Sequence, residues 1–353
     1  YKENQNKEQR IPSRKIKSET GFLERRFMAE KRELQMKEIT EQLEQGVKEL
    51  FTSEMYTEYL RTMSQFHNYS FNNTLLIAMQ KPDATLVAGY QAWQKKFKRQ
   101  VRRGEKAIQI IAPAPIREKQ EVEKIDPETQ EPVLRFDGQP ETEEVEIVIP
   151  RFRVASVFDI SQTDGEPLPE LETPELMGSV ENFKVFMKAV QEVSPVPVRF
   201  DEISSGAKGY YSNTEKEIVI QNGMSESQTM KTGIHEVTHA MLHDRDFMEE
   251  QGEKKNQMTK EVEAESVAYT VCQYFGLDTS DYSFPYIAGW SSSMDMKELR
   301  TSMDTIRKTA GSFIDSMTEV IQRLMREEPE LSLSAMKQAE ILIDRAEQER
   351  TLF

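Results

Sequence analysis

Apolar residues recur every three or four positions at Met36, Ile39, Leu43, Val47 and Leu50, the spacing of one face of an α-helix. Residues 1–35 are almost purely charged and polar. The pattern predicts a disordered tip that leads into a charged helical arm, together residues 1–50. Helical spacing continues through Met55, Tyr59, Leu60 and Met63, and Asn72 or Asn73 is placed to cap a short helix over 74–80. Lys81-Pro82-Asp83 ends it. A break at Gly89, a short helix through Trp93 and a turn at Arg103-Gly104 precede a β-branched strand at 107–112, with a return strand at 151–158.

Between those two strands the chain turns acidic. Residues 117–147 read as an insertion, with an Asp137-Gly138 hairpin turn between β runs at 132–136 and 146–149. Proline and glycine at 163–179 mark a linker. The second half predicts a helix at 183–193, strands at 198–200 and 217–221, helices at 227–243 and 259–275, and helix from 295 to 353 broken at Glu328-Pro329. Five segments follow: an arm (1–50), a small mixed α/β domain (51–162), the linker (163–179), a mostly helical domain (180–310) and a helical tail (311–353). The fold class is α+β.

With 353 residues, 37% of them hydrophobic and 30% charged, a chain of two domains is expected. One cysteine, Cys272, excludes an internal disulfide framework and a cysteine-rich zinc finger. A run of 18 uncharged apolar residues is missing, and the N-terminus lacks a basic-then-apolar signal pattern, so a cytoplasmic protein with no membrane partner is expected.

The strongest chemical signal is His235-Glu236-Val237-Thr238-His239. On a helix the two imidazoles lie on one face a turn apart and can hold one Zn2+ per chain, with Glu236 placed as the general base. A third ligand is needed. Each four-residue step rotates about 40°, so His243 leans away from the pair. Glu261 and Glu265 share a face of the next helix. Glu261 is assigned as the ligand and Glu265 as the acceptor that orients a ligand histidine, with the reverse assignment open. Glu263 reads as a solvated charge. Zinc would make water at the site acidic and polarise a peptide carbonyl. The strand at 217–221 is expected to edge the cleft and hold an extended peptide, and Tyr210 or Tyr211 to donate to a developing oxyanion.

The net charge of −15 argues against whole-surface attraction to nucleic acid. Residues 90–106 run against it. There Lys95, Lys96, Lys98, Arg99, Arg102, Arg103 and Lys106 face Glu105 alone, interleaved with Tyr90, Trp93 and Phe97. Cations for phosphates and rings for bases suit single-stranded nucleic acid. A core pair Trp93–Phe97 ringed by solvated lysines suits the same pattern.

Several words of the sequence carry a family resemblance. Asn73-Thr74-Leu75-Leu76, Gly89-Tyr90-Gln91-Ala92-Trp93, Val101-Arg102-Arg103-Gly104-Glu105-Lys106 and Val157-Phe158-Asp159-Ile160-Ser161-Gln162-Thr163 resemble the N-terminal domain of ArdC antirestriction proteins. Gly209-Tyr210-Tyr211-Ser212, the His-Glu-x-x-His run and Glu261-Val262-Glu263-Ala264-Glu265-Ser266 resemble that family's zincin-like domain, and Tyr286-Ile287-Ala288-Gly289-Trp290 resembles the segment that follows it. The zincin part is also similar to ImmA/IrrE metallopeptidases. The likeness covers 51–115 and 150–310; the arm, the acidic insertion and the tail lie outside it. It implies a single-stranded-DNA-binding domain followed by a zincin-like metallopeptidase domain. The implied setting is a conjugative element or plasmid, with a protein substrate left unidentified. Two rivals remain: a DNA-coating module with a silent zincin scaffold, and an ImmA-like peptidase that cuts one dedicated repressor.

Overall fold

The computed structural model describes residues 13–127, 129–168, 180–252, 254–277, 279–280, 282 and 284–327. The expected N-terminal tip, linker residues 169–179 and the tail beyond Glu327 lie outside them. The fold is α+β. Among the described residues one compact unit comprises 13–42 and 110–155, and the other comprises 43–109 and 156–327. Residues 51–109, grouped by the sequence with the strands before the linker, therefore share a unit with the second half.

Helix α1 (Ser13–Leu50) supplies residues to both units and buries the stripe Ile39, Leu43, Val47 and Leu50. Gly46 lies against Met79, whose thioether occupies the space a Cβ would need. Helix α2 (Ser53–Gln65), capped by the Thr52 hydroxyl, buries Tyr56, Tyr59, Leu60 and Met63. Helix α3 (Phe71–Gln80) begins three residues before the expected 74. Its cap is Ser70, not Asn72 or Asn73: the Ser70 hydroxyl accepts from the Asn73 N–H at 3.3 Å.

Strand β1 (Val87–Gly89), helix α4 (Tyr90–Lys95) and strands β2 (Arg99–Val101) and β3 (Ile108–Pro113) follow. The acidic insertion is a β-ribbon of β4 (Ile116–Glu123) and β5 (Thr142–Ile149), paired from Ile116 opposite Ile149 to Glu123 opposite Thr142. This corrects the expected pairing of 132–136 with 146–149. The acids are accommodated by cross-strand ion pairs, Arg117–Glu146 and Lys119–Glu144 at 3.1 Å each, which an apolar-alternation reading does not count. Asp137-Gly138 still turns the chain, at the ribbon's tip.

Strand β6 (Phe152–Asp159) lies between β1 and β3, and β7 (Thr163–Gly165) pairs with β2. The first three residues of the expected linker are thus a strand. The corner after β6 is locked by Asp159, fully buried, whose carboxylate accepts from the N–H groups of Thr85 (2.8 Å), Leu86 (3.1 Å) and Ser161 (2.9 Å).

Beyond helix α5 (Val180–Val193), strands β8 (Val198–Asp201), β9 (Gly209–Ser212) and β10 (Glu217–Gln221) form a sheet of order β8-β10-β9. β10 runs parallel to β8 and antiparallel to β9, and buries Ile218, Val219 and Ile220. The expectation that 217–221 edges a cleft is corrected: both sides of β10 are used for pairing, and β9 is the edge. Helix α6 (Glu226–Leu242) packs on β9, β10 and α5. After the short helix α7 (Arg245–Glu250), helix α8 (Gln257–Tyr274) packs against α6, α2 and α10 (Met296–Glu327), with α9 (Ile287–Ser292) alongside. Tyr56 and Ser266 share a buried hydrogen bond of 2.8 Å that joins α2 to α8.

The Asp159 lock sets an expectation. Asp159→Ala strips three buried or half-buried N–H groups of a charged acceptor, so urea unfolding should show a loss of about 3 kcal/mol with an unchanged slope. A loss under about 0.5 kcal/mol would show that the corner holds without the carboxylate.

Candidate metal centre

The site forms where α6 crosses α8. Ser225 caps α6, its hydroxyl accepting from the Gln228 N–H at 3.3 Å, and Met230, Ile234 and Val237 anchor the helix in the core. That leaves His235 and His239, one turn apart, facing α8. The α8 N-terminus is set by the Asn256 side chain on the Thr259 N–H (2.8 Å) and by the Trp290 indole on the Thr259 hydroxyl (3.1 Å). Those contacts fix the register in which Glu261 and Glu265 meet the histidines.

Three ligand-type atoms, one each from His235, His239 and Glu261, lie within 4.8 Å of one another. The two Nε2 atoms are 3.1 Å apart, and Glu261 Oε2 is 3.6 Å from His235 Nε2 and 3.7 Å from His239 Nε2. Two imidazoles and a carboxylate make a donor set suited to zinc or a similar divalent ion, and their convergence leaves room for one. The imidazole of His235 beside it is the main group that holds the Glu261 carboxyl below its usual range. Burial would lower His235, but the hydrogen bonds to Glu261 and Glu265 outweigh it and raise its pKa to about 10.

The other nitrogens are also engaged. His235 Nδ1 is 3.2 Å from Glu265 Oε2, a contact that leaves Nε2 for an ion. His239 Nδ1 is 2.9 Å from His243 Nδ1. Glu263, expected as a solvated charge, is fully buried: its Oε2 is 3.0 Å from His243 Nε2 and from Lys255 Nζ, and Ser302 donates to its Oε1 at 2.5 Å. Face geometry put Glu263 away from the ligands correctly. It could not show that α10 and Lys255 wait on that side.

Glu236 is 8% exposed and its carboxyl is pushed up by burial, against the lowering charges of His235 and His239. The Tyr211 main-chain N–H bonds it. A cavity of about 370 Å³ opens beside it, lined by Gly209, Lys208, Lys231, Thr232, Glu265 and Tyr282. Gly209 is what lets the edge strand come so close: a Cβ there would lie 2.6 Å from Thr232 Cγ2 and 3.2 Å from Glu236 Cγ. Of the expected oxyanion donors, Tyr211 spends its hydroxyl on Asp244, and Tyr210 is exposed on β9. Tyr286 was not singled out from the sequence as a site residue. Burial and the charges of Glu265 and Glu261 push its hydroxyl to about 12.

The basic segment divides. Trp93 is fully buried and its indole donates to the Phe158 carbonyl at 2.8 Å, so it offers no ring face to a base. Arg99 is tied by three hydrogen bonds to Thr163 and Glu166. Arg102 pairs with Glu105 (2.8 Å) and Asp164 (3.5 Å), and Lys98 with Glu166 (3.6 Å). Tyr90, Lys95, Lys96, Arg103 and Lys106 are exposed or half-exposed.

Comparison with known proteins bears first on the N-terminal half. Residues 29–158 match the model of the N-terminal domain of anti-restriction factor ArdC. An uncharacterized protein of Bacillus anthracis is 28% identical over 319 residues, 82% of this chain and 52% of its own length. The chain thus spans about half the length of that curated relative. Two crystal structures of the antirestriction ArdC protein from plasmid R388 match part of the chain. The metal-free one shows 21% identity and a TM-score of 0.44 over 72% of this chain and 86% of its own. The Mn(II)-bound one shows 19% identity and a TM-score of 0.43 over 72% and 85%.

The converging ligand atoms predict about one zinc per chain by elemental analysis after loading and desalting, and none in Glu261→Ala. Removing the ion with a chelator should lower the melting temperature of the native chain and leave that of Glu261→Ala unmoved. Zinc retained by Glu261→Ala would shift the third ligand to Glu265.

Proposed function

We propose an antirestriction-type protein that binds single-stranded DNA and carries a zinc-dependent peptidase site, a reading supported by the match of residues 29–158 to the model of the N-terminal domain of anti-restriction factor ArdC. The observation that carries the peptidase half is the convergence of His235, His239 and Glu261 beside a buried glutamate in an open cavity. A zinc ion there would supply Lewis acidity to a peptide carbonyl and to water.

The chain's own residues do the rest. Glu236, destabilised as an anion by burial, takes the proton of the attacking water and returns it to the leaving nitrogen. β9 is an edge strand, so an extended peptide can add to it by main-chain hydrogen bonds, with alternate side chains turned to the cavity. Exposed Tyr90, Lys95, Lys96, Arg103 and Lys106 supply a ring and charges for a single strand, without the buried Trp93. The protein substrate belongs to the same proposal and is defined here only as an extended segment.

Two measurements test the halves separately. Glu236→Gln should keep its zinc and lose cleavage of an unfolded protein substrate by at least about a hundredfold. Gly209→Val should lose cleavage with the ligands intact, because its side chain would enter the space of Thr232 and Glu236. Cleavage unchanged in both would leave a silent scaffold. For the other half, replacing Lys95, Lys96, Arg103 and Lys106 by Gln should flatten the log–log salt dependence of 30-mer binding by about 0.7 per lost phosphate contact. No affinity for the oligonucleotide in the native chain would favour the repressor-cleaving rival.

A further inference from the structure

Two acids of the row Glu261-Val262-Glu263-Ala264-Glu265 meet the histidines directly. The third does so through an intermediary. Glu263 is fully buried, and its carboxylate is held from three elements: by His243 at the end of α6, by Lys255 before α8 and by Ser302 of α10.

Donor and acceptor roles along this line follow from one end. A carboxylate accepts hydrogen bonds, and Glu263 accepts one from the Lys255 ammonium at 3.0 Å. His243 Nε2, 3.0 Å away, must therefore be the N–H that donates to it. With His239 Nε2 given to an ion, the His239 proton stands on Nδ1 and is donated across 2.9 Å to His243 Nδ1. His239 is left with its lone pair on Nε2, the atom that faces His235 Nε2 at 3.1 Å and Glu261 at 3.7 Å. The opposite proton order would set a bare His243 Nε2 against the carboxylate oxygen of Glu263 at 3.0 Å, two acceptors facing each other.

We propose that Glu263 is a positioning residue for His239, acting through His243 to fix the tautomer and ring orientation that present Nε2 to a metal ion. The inference rests on the metal-centre reading above. It makes the two histidine arms of the site unequal: His235 is oriented by a carboxylate in direct contact, Glu265, and His239 by a carboxylate one imidazole further off. Ser302 and Lys255 hold that remote carboxylate, so α10 and the segment before α8 take part in ion binding without touching the ion.

The test is zinc affinity of the full chain, by competition with a chromophoric chelator. Glu263→Gln and His243→Phe should each weaken zinc 10–100-fold. The double variant should be no weaker than the worse single, because both cut the same line. Ser302→Ala, which removes one hydrogen bond and spares the charges, should lose less than either. Native affinity in both single variants, or losses that multiply in the double, would overturn the proposal while leaving the metal centre standing. A native chain that takes no zinc would overturn the metal centre, and the proposal with it. Nitrogen-15 NMR of the histidine-labelled native chain needs no variant: His243 is expected as the Nε2–H tautomer, and the Nδ1–H form there would overturn the relay.

Discussion

Three carboxylates within five residues of one helix, packed among three others, are the constraint on which this structure turns. Moving a carboxylate out of water costs several kcal/mol unless donors replace the water, a cost that falls in full on buried Glu263 and in part on half-exposed Glu261 and Glu265. α8 meets that cost with partners drawn from each direction it faces. α6 supplies His235 and His239 to Glu261 and Glu265; α10 supplies Ser302, and Lys255 and His243 complete the shell of Glu263. The position of α6 over α8 is thus an electrostatic requirement as well as a packing one. A cation bound by His235, His239 and Glu261 would satisfy the part of that requirement that protons meet in its absence.

The sheet imposes the complementary constraint. β10 is buried between two neighbours, so the sheet edge beside Glu236 falls to β9, whose Gly209 permits main chain to approach Glu236 without a side chain between them. Glu236 is squeezed between edge strand and helix, and that squeeze raises its carboxyl.

Periodicity made the long elements legible. The stripe from Ile39 to Leu50, the α6 helix and the α+β class follow from local spacing, which tertiary contacts rarely overrule in periodic segments. The convergence of His235 and His239 is local in the same sense, since i and i+4 on a helix must meet. What spacing does not encode is which face of an element finds a neighbour. Glu263 read as solvated because its partner Ser302 lies 39 positions away. Trp93 carried the aromatic signal of a nucleic-acid surface, yet the Phe158 carbonyl, 65 positions on, holds it in the core. The edge strand was misassigned because strand order is a long-range property. The ribbon strand Ile116–Glu123 was missed because its cohesion comes from main-chain pairing and alternating charge.

That ribbon leaves and rejoins the fold at one place. Ala114 and Arg151 stand side by side at its base, the Ala114 N–H on the Arg151 carbonyl at 2.7 Å. A segment whose ends already touch adds little closure entropy as it lengthens, because that cost grows only with the logarithm of its length. The ribbon is therefore a port in the architecture, where evolution or an engineer can lengthen, shorten or exchange the chain while the strands on either side keep their course.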